Sequence, residues 1–137
     1  MAELKRIYHT DPEWQEFCRI ATRAFHGWNP DQQKADPMSE HYVMLGRDFK
    51  TAAIGTVHVD GSALAELHNI AVDPARRKQG LGRALMEALE DRLSSRFRGA
   101  RLMTEEKNIG FYEALGFHEG NSLPNAEDLR FMAKRFG

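Results

Sequence analysis

One stretch constrains this chain more than any other: Asn69-Ile70-Ala71-Val72-Asp73-Pro74-Ala75-Arg76-Arg77-Lys78-Gln79-Gly80-Leu81-Gly82-Arg83-Ala84-Leu85. It reads as a buried strand, a short basic turn, two glycines one residue apart and the start of an amphipathic helix. Arg76, Arg77 and Lys78 stand in succession at a helix N-terminus. The macrodipole leaves partial positive charge at that end, so three cations there oppose helix stability. A multiply charged anion on the free backbone N–H groups of the first turn reverses the penalty. Gly80 and Gly82 carry no Cβ, which lets such a ligand approach the backbone closely.

Spacing separates the anion-binding loops that look alike here. A P-loop needs Gly-Lys-Ser/Thr after its last glycine, and this chain has Gly82-Arg83-Ala84. A dinucleotide fingerprint needs a third glycine three residues after the second, and position 85 is leucine. What remains is Arg77-x-x-Gly80-x-Gly82, behind a strand and an Asp73-Pro74 turn and ahead of a helix. A plain basic connection on the surface is the competing reading. The formal net charge of -1 implies no general attraction to nucleic acid or membrane, so the local basic cluster points to a small anionic ligand. The 137 residues fit a single domain over 1–137 with its own core. Cys18 is the sole cysteine, so no internal disulfide forms, and it reads as a small apolar helix residue. The chain shows neither an apolar run of about 18 residues nor an opening signal peptide, and a cytoplasmic protein is expected.

Taken in order, Leu4 to Tyr8 reads as a strand. Thr10-Asp11-Pro12-Glu13 offers a capping box and an early proline. Trp14, Phe17, Cys18, Ala21, Ala24 and Phe25 follow at helical spacing, and Gly27 ends the helix. Asn29 to Ser39 reads as a loop with room for a short helical turn. Phe25 and Trp28 are candidates for an acceptor pocket, with packing beneath the loop as the competing role. His41–Leu45, Thr51–Val59 and Ala63–Val72 read as an antiparallel meander, with Asp60-Gly61 as a hairpin signal. Without a bulge, strict alternation puts Leu64, Glu66, His68, Ile70 and Val72 on one face. From Leu81 the pattern Leu81, Ala84, Leu85, Ala88, Leu89 predicts a helix, with Arg83, Glu87, Glu90 and Asp91 facing water and Gly99 near its end. Ala100–Thr104 reads as a strand parallel to 63–72. Asn108–Leu115 reads as a short helix with Gly116 as its C-cap. Phe117–Asn121 and Leu129–Phe136 read as a closing pair joined through Pro124.

Two motifs then carry a family resemblance. The loop Arg77-x-x-Gly80-x-Gly82, behind Ala71-Val72-Asp73-Pro74, resembles the pyrophosphate loop of the GCN5-related N-acetyltransferase (GNAT) superfamily. Phe111-Tyr112-Glu113-Ala114-Leu115-Gly116-Phe117 resembles that family's Phe-Tyr-x-x-x-Gly-Phe helix. The resemblance implies an α/β fold. Its sheet is mixed and mostly antiparallel, with one splayed parallel pair and flanking helices. It implies acetyl-CoA in the cleft between the parted strands, with no metal. The pantetheine arm then lies along Ile70, Ala71 and Val72. The pyrophosphate lies on Arg77, Lys78, Gly80, Leu81, Gly82 and Arg83. One departure stands out. The family often places an asparagine seven residues before the tyrosine; here that position is Glu105, and Asn108 lies four before. Either Asn108 takes the pantetheine contact from a shifted loop or the contact is missing, and Asn108 also suits a helix N-cap.

The reaction so implied is direct attack of an amine on the acetyl thioester. The amine must lose a proton and the departing thiolate must gain one. By resemblance Tyr112 is the acid, with a core aromatic as its competing role. Glu66 is the candidate base, placed as in members that acetylate histones, and His68 is its competitor with a pKa suited to neutrality. Either is also readable as a hydrogen-bonded strand residue or a substrate anchor. The acceptor is a small-molecule or peptide amine of unread identity, and homodimers are common among such relatives. Two rivals stand beside this reading: an acyl-CoA-binding sensor without catalysis, and a nucleotide-binding domain, which the missing Gly-Lys-Ser/Thr opposes.

Overall fold

The computed structural model describes residues 3–120 and 129–137. In chain order the elements are β1 (Glu3–Ile7), α1 (Glu13–Ala24), α2 (Pro30–Ala35), β2 (Ser39–Leu45), β3 (Thr51–His58) and β4 (Leu64–Val72). Then come α3 (Leu81–Leu93), β5 (Gly99–Thr104), α4 (Ile109–Ala114), β6 (His118–Glu119) and β7 (Arg130–Arg135). The connection expected through Pro124 and the Asn121 end of its first strand lie outside the described residues. The strands form one sheet in the order β1-β2-β3-β4-β5-β7-β6. Every neighbouring pair is antiparallel except β4 and β5, the expected parallel pair. Among the described residues no helix is long and apolar enough to cross a membrane.

Alternation along the strands builds a core on each face of the sheet. Val43 and Ile54 face α1, whose stripe of Trp14, Phe17, Ile20 and Ala21 closes one core. Tyr42, Met44, Ala53 and Val57 face α3, where Leu85, Leu89 and Leu93 close the other. Each such Leu, Ile or Phe contributes about 1.5–3 kcal/mol by leaving water. The periodic stripes of 14–25 and 81–89 thus become the two helical layers. Cys18 packs against the α1 core, and burial raises its thiol pKa, as suits a structural residue.

Four expectations change. The capping box at Thr10 does not form: Pro12 holds the N-cap position without a side-chain bond. Asp11 turns the chain instead, its Oδ2 accepting from Tyr8 N–H at 2.8 Å and its carbonyl from Trp14 N–H at 3.1 Å. Gly99 does not close the helix, which ends at Leu93; it opens β5, where a Cβ would run into the Lys134 carbonyl. Glu90, expected to face water, is half-buried and pairs with Lys134 Nζ at 2.7 Å.

The fourth change matters most for the site. β4 does not alternate throughout. Thr56 pairs with His68 and Ile54 with Ala71, so Gly55 opposes two residues, Asn69 and Ile70. This is a β-bulge, and Asn69 takes a left-handed φ of 56° within it. Asparagine tolerates that region better than other residues with a Cβ. Before the bulge Ala65 and Leu67 enter the α3 core, and after it Ile70 and Val72 pack there. Glu66 and His68 therefore do not share a face with Ile70 and Val72. Gly55 leaves room opposite the bulge, since a Cβ there would press on Ile70 Cδ1 at 3.0 Å and Leu89 Cδ1 at 3.4 Å.

Candidate active site

The basic loop begins from an anchored turn. Asp73 is buried and accepts from Ala75 N–H at 3.1 Å and from Arg19 Nη2 on α1 at 3.0 Å. The guanidinium and the backbone bond outweigh burial and lower its pKa. Pro74–Arg76 then makes a short 3₁₀ turn. Arg76 is not a free cation, although it lines the open space beside Gly80 and Leu81. It grips Asp48 on the β2–β3 turn, Nη1 to Oδ1 at 3.1 Å and Nη2 to Oδ2 at 2.6 Å. That grip brings the Asp48 carboxyl to about 2. Arg83 pairs with Glu87 one turn on at 2.8 Å. Arg77 and Lys78 stay exposed, and no described residue forms an ion pair with them.

The loop's backbone is left equally open. Lys78 and Gly80 take left-handed φ values of 66° and 73°. The first intrahelical bond of α3 runs from Ala84 N–H to the Gly80 carbonyl at 3.0 Å. The N–H groups of Leu81, Gly82 and Arg83 therefore have no acceptor within the helix. No described backbone group accepts from Arg77, Lys78, Gln79 or Gly80. A Cβ on Gly80 would meet nothing within 4 Å, so the space above it is free. Gly82 is different, since its Cβ would lie 3.3 Å from Phe111 Cζ and 3.6 Å from Val72 Cγ2. Unpaired donors, two free cations and a helix N-terminus suit a diphosphate in chemistry and charge.

Back along β4 from this loop, the sheet parts. β4 and β5 pair from Leu64 and Gly99 up to Leu67 and Leu102, and the pairing stops there. β5 continues along β7 to Thr104, while β4 keeps only β3 beyond Leu67. Half of the backbone groups of 68–72 therefore point from an unpaired edge into the gap. The gap holds a cavity of about 560 Å³ lined by His68, Asn69 and Ile70, by Leu102 to Glu105, and by Asn108 and Tyr112. Phe25 and Trp28 line it while also packing on the α1 core. Of the three expected pantetheine residues Ile70 lines this cavity, Ala71 packs on the α1 core and Val72 sits beside Gly82. Asn108 and Glu105 both border it. Asn108 stands at the N-cap position of α4 without a capping bond, and Glu105 is exposed beside Lys107.

Tyr112 is held by the end of its own helix. Phe117 N–H donates to the Tyr112 carbonyl at 3.1 Å and Gly116 N–H to the Glu113 carbonyl at 3.0 Å. These are the paired bonds of a Schellman motif, with Gly116 at φ 94° as expected of its C-cap. Phe111 and Phe117 meet the Tyr112 ring edge-on at 5.0 and 5.7 Å. The residue is 7% exposed, and burial pushes its phenol up to about 12. Among the described residues no group hydrogen-bonds its hydroxyl.

Glu66 and His68 form one unit on the α1 side of β4. His68 Nε2 lies 2.7 Å from Glu66 Oε1. Arg101 donates to Glu66 Oε2 from Nε at 3.2 Å and from Nη2 at 2.8 Å. The parallel register sets Arg101 directly beside Glu66. Burial raises the Glu66 pKa, but the bonds from Arg101 and His68 outweigh it and the net shift is downward. His68 lines the cavity that holds Tyr112; Glu66 lies behind it, in an adjoining polar cavity with His58 and Asp36. Arg101 was not legible as a site residue, because only the β4–β5 register brings it to Glu66.

Known proteins match this architecture. The family described as Acetyltransferase (GNAT) domain matches residues 38–119, more than half of the chain. The ribosomal protein bS18-alanine N-acetyltransferase of Escherichia coli (strain K12) is 50% identical over 98 residues, 66% of this chain and 65% of that protein. The chain thus spans just under two thirds of the curated relatives it matches first. The crystal structure of the ribosomal-protein-S18-alanine N-acetyltransferase from Escherichia coli has a TM-score of 0.81 at 29% identity, over 99% of this chain and 94% of that one. An aminoglycoside 6'-N-acetyltransferase complexed with coenzyme A also reaches 0.81, at 18% identity over 97% and 96%, a likeness of fold.

Proposed function

Because the chain belongs to the GNAT acetyltransferase family, we propose that it transfers the acetyl group of acetyl-CoA to an amine in the cleft where β4 and β5 part. The observation that carries this reading is the unpaired edge of β4, which borders the cavity at His68–Ile70 and leads along the chain to the loop. Unpaired N–H groups and the free cations Arg77 and Lys78 stand at one end, and Tyr112 and His68 face one cavity at the other. The loop suits the pyrophosphate, with Gly80, Leu81, Gly82 and Arg83 giving backbone donors. The open edge at Ile70–Val72 suits the pantetheine amides, with Asn108 or Glu105 beside them. Acetyl-CoA supplies a thioester carbonyl as the electrophile. Edge N–H groups of β4 near Ile70 polarise that carbonyl as charge develops on its oxygen.

His68 is the better placed base. When Nε2 donates to Glu66, Nδ1 keeps its lone pair and accepts the amine proton. Glu66 then orients the ring and stabilises the imidazolium, and Arg101 keeps Glu66 ionised and in place. The N–C bond forms, the C–S bond breaks, and negative charge collects on sulfur. A free phenol, near 10, already holds its proton more tightly than a free thiol near 8.5, and burial raises the Tyr112 phenol further. Full transfer to the thiolate therefore runs uphill. Tyr112 acts as a hydrogen-bond donor to sulfur, and solvent completes the protonation.

A peptide N-terminal amine is the acceptor class we favour, supported by the named activity of the 50% identical relative. The test pairs acceptor and base. A peptide with a free α-amine, an N-blocked peptide carrying lysine and a small polyamine are each incubated with acetyl-CoA, and thiol release is followed. Release with the free α-amine is expected to exceed the other two. His68→Gln should lower that rate about 10- to 100-fold at neutral pH. It should recover as pH rises, because more amine is already neutral. Glu66→Gln keeps an acceptor for Nε2 and should cost less. The opposite order would make Glu66 the base, and release with none of the amines would remove the transferase reading.

A further inference from the structure

We propose that Asn69 and Thr56 form a hydrogen-bonded latch that holds the β4 bulge, and that both are positioning residues for the transfer, a role resting on the reaction site proposed above. Asn69 Nδ2 donates to Thr56 Oγ1 at 3.0 Å across the bulge and to Gln33 Oε1 on α2 at 3.3 Å. Thr56 Oγ1 also lies 3.0 Å from His41 Nδ1. A hydroxyl has one proton to give, and Asn69 already donates into this one. The Thr56 hydroxyl keeps its own proton and a second lone pair, so it bonds His41 Nδ1 in either tautomer of that ring. His41 is 7% exposed, with the rings of Trp14 and Phe17 at 5.0 and 5.2 Å. Its burial lowers its pKa, in keeping with the neutral form. The bonds thus link Asn69 through Thr56 to His41, a side chain packed against the α1 rings.

The latch acts where the strand changes its faces. A regular β4 would continue its two-residue period past His68 and turn Ile70 and Val72 away from the α3 core. With the bulge, His68 lies on the α1 side and Ile70 on the α3 side, one residue pair apart, and both border the reaction cavity. The left-handed φ of Asn69 is a strained state that surrounding bonds must hold. Gln33 gives the latch a second arm. α2 has no buried residue, so its tie to the sheet at this point is polar. The bulge thereby sets the distance between the group that takes the amine proton and the strand edge that carries the thioester.

The test uses Thr56→Val, which keeps shape and removes the hydroxyl, Asn69→Gly, which keeps the left-handed backbone and removes the amide, their double variant, and Thr56→Ser. Each is measured for acetyl-CoA affinity, for turnover with the free-amine peptide, and for amide hydrogen exchange. Each single variant is expected to lower kcat about tenfold through misplacement, with acetyl-CoA affinity within about threefold of wild type. The double variant should be no slower than the worse single one, since the pair acts as one unit. Thr56→Ser should restore wild-type turnover. Exchange should quicken at 68–72 in Thr56→Val and stay unchanged in α1. Multiplicative losses, a Thr56→Ser variant as slow as Thr56→Val, or unaltered exchange at 68–72 would overturn the latch. If the wild type transfers to no amine, the function proposed above fails, and the exchange comparison still decides the latch.

Discussion

Tyr112→Phe is expected to lower turnover on the order of 10- to 1,000-fold while acetyl-CoA affinity stays within a few-fold. The substitution keeps the ring, so the edge contacts with Phe111 and Phe117 survive, and so does the helix end that holds them. It removes a hydroxyl that no described residue bonds, so little stability should go with it. The hydrogen bond to sulfur strengthens as the C–S bond breaks, so its loss falls on kcat rather than on binding. Because burial holds the phenol near 12, Tyr112 stays protonated through the neutral and mildly alkaline range. Its ionisation should therefore put no descending limb into the pH–rate profile there. Turnover, acetyl-CoA affinity and melting temperature on one preparation separate the roles. Full activity would leave Tyr112 as a core aromatic only.

Gly80→Val is expected to weaken acetyl-CoA binding about 100-fold or more. Two effects act together. Gly80 sits at φ 73°, where a Cβ costs about 1–2 kcal/mol and a β-branched chain is among the worst fits. The space above Gly80 is open, so the new side chain projects where a phosphate would meet the loop donors. Losing two charge-assisted hydrogen bonds at about 1.5–3 kcal/mol each accounts for the effect. Gly82→Ala should act by another route, since its methyl presses on the Phe111 ring beside Val72. Titration calorimetry reads both. Wild-type affinity in Gly80→Val would place the pyrophosphate elsewhere.

What could be read in the sequence was what local chemistry determines. The stripes of 14–25 and 81–89 give their helices because a single face of each meets the sheet. Gly116 and the Phe111–Phe117 motif gave the Schellman end that holds Tyr112. The basic loop was legible as an anion site from its cations and glycines. Its sharing of charge was not: Asp48, 28 residues away, pairs with Arg76 and leaves Arg77 and Lys78 without an ion pair among the described residues. The bulge was hidden for a similar reason. Its signs were an asparagine and a mid-strand glycine, Asn69 and Gly55, and only the β3–β4 register shows that they face each other. Arg101 behind Glu66 follows from the parallel register, and Thr56 and His41 from strands that pair across the sheet. Long-range polar partners are the part of a site that periodicity does not record.

The most direct test of the account is an equilibrium titration of the wild-type protein with acetyl-CoA, set against ATP and NAD at equal concentrations. A loop with free donors and cations, opening on an unpaired strand edge, should bind acetyl-CoA and raise the melting temperature by mass action as ligand increases. ATP and NAD carry the phosphates without the pantetheine arm and should bind far more weakly. A melting temperature unmoved by millimolar acetyl-CoA, or equal affinity for all three ligands, would contradict the assignment of this cleft.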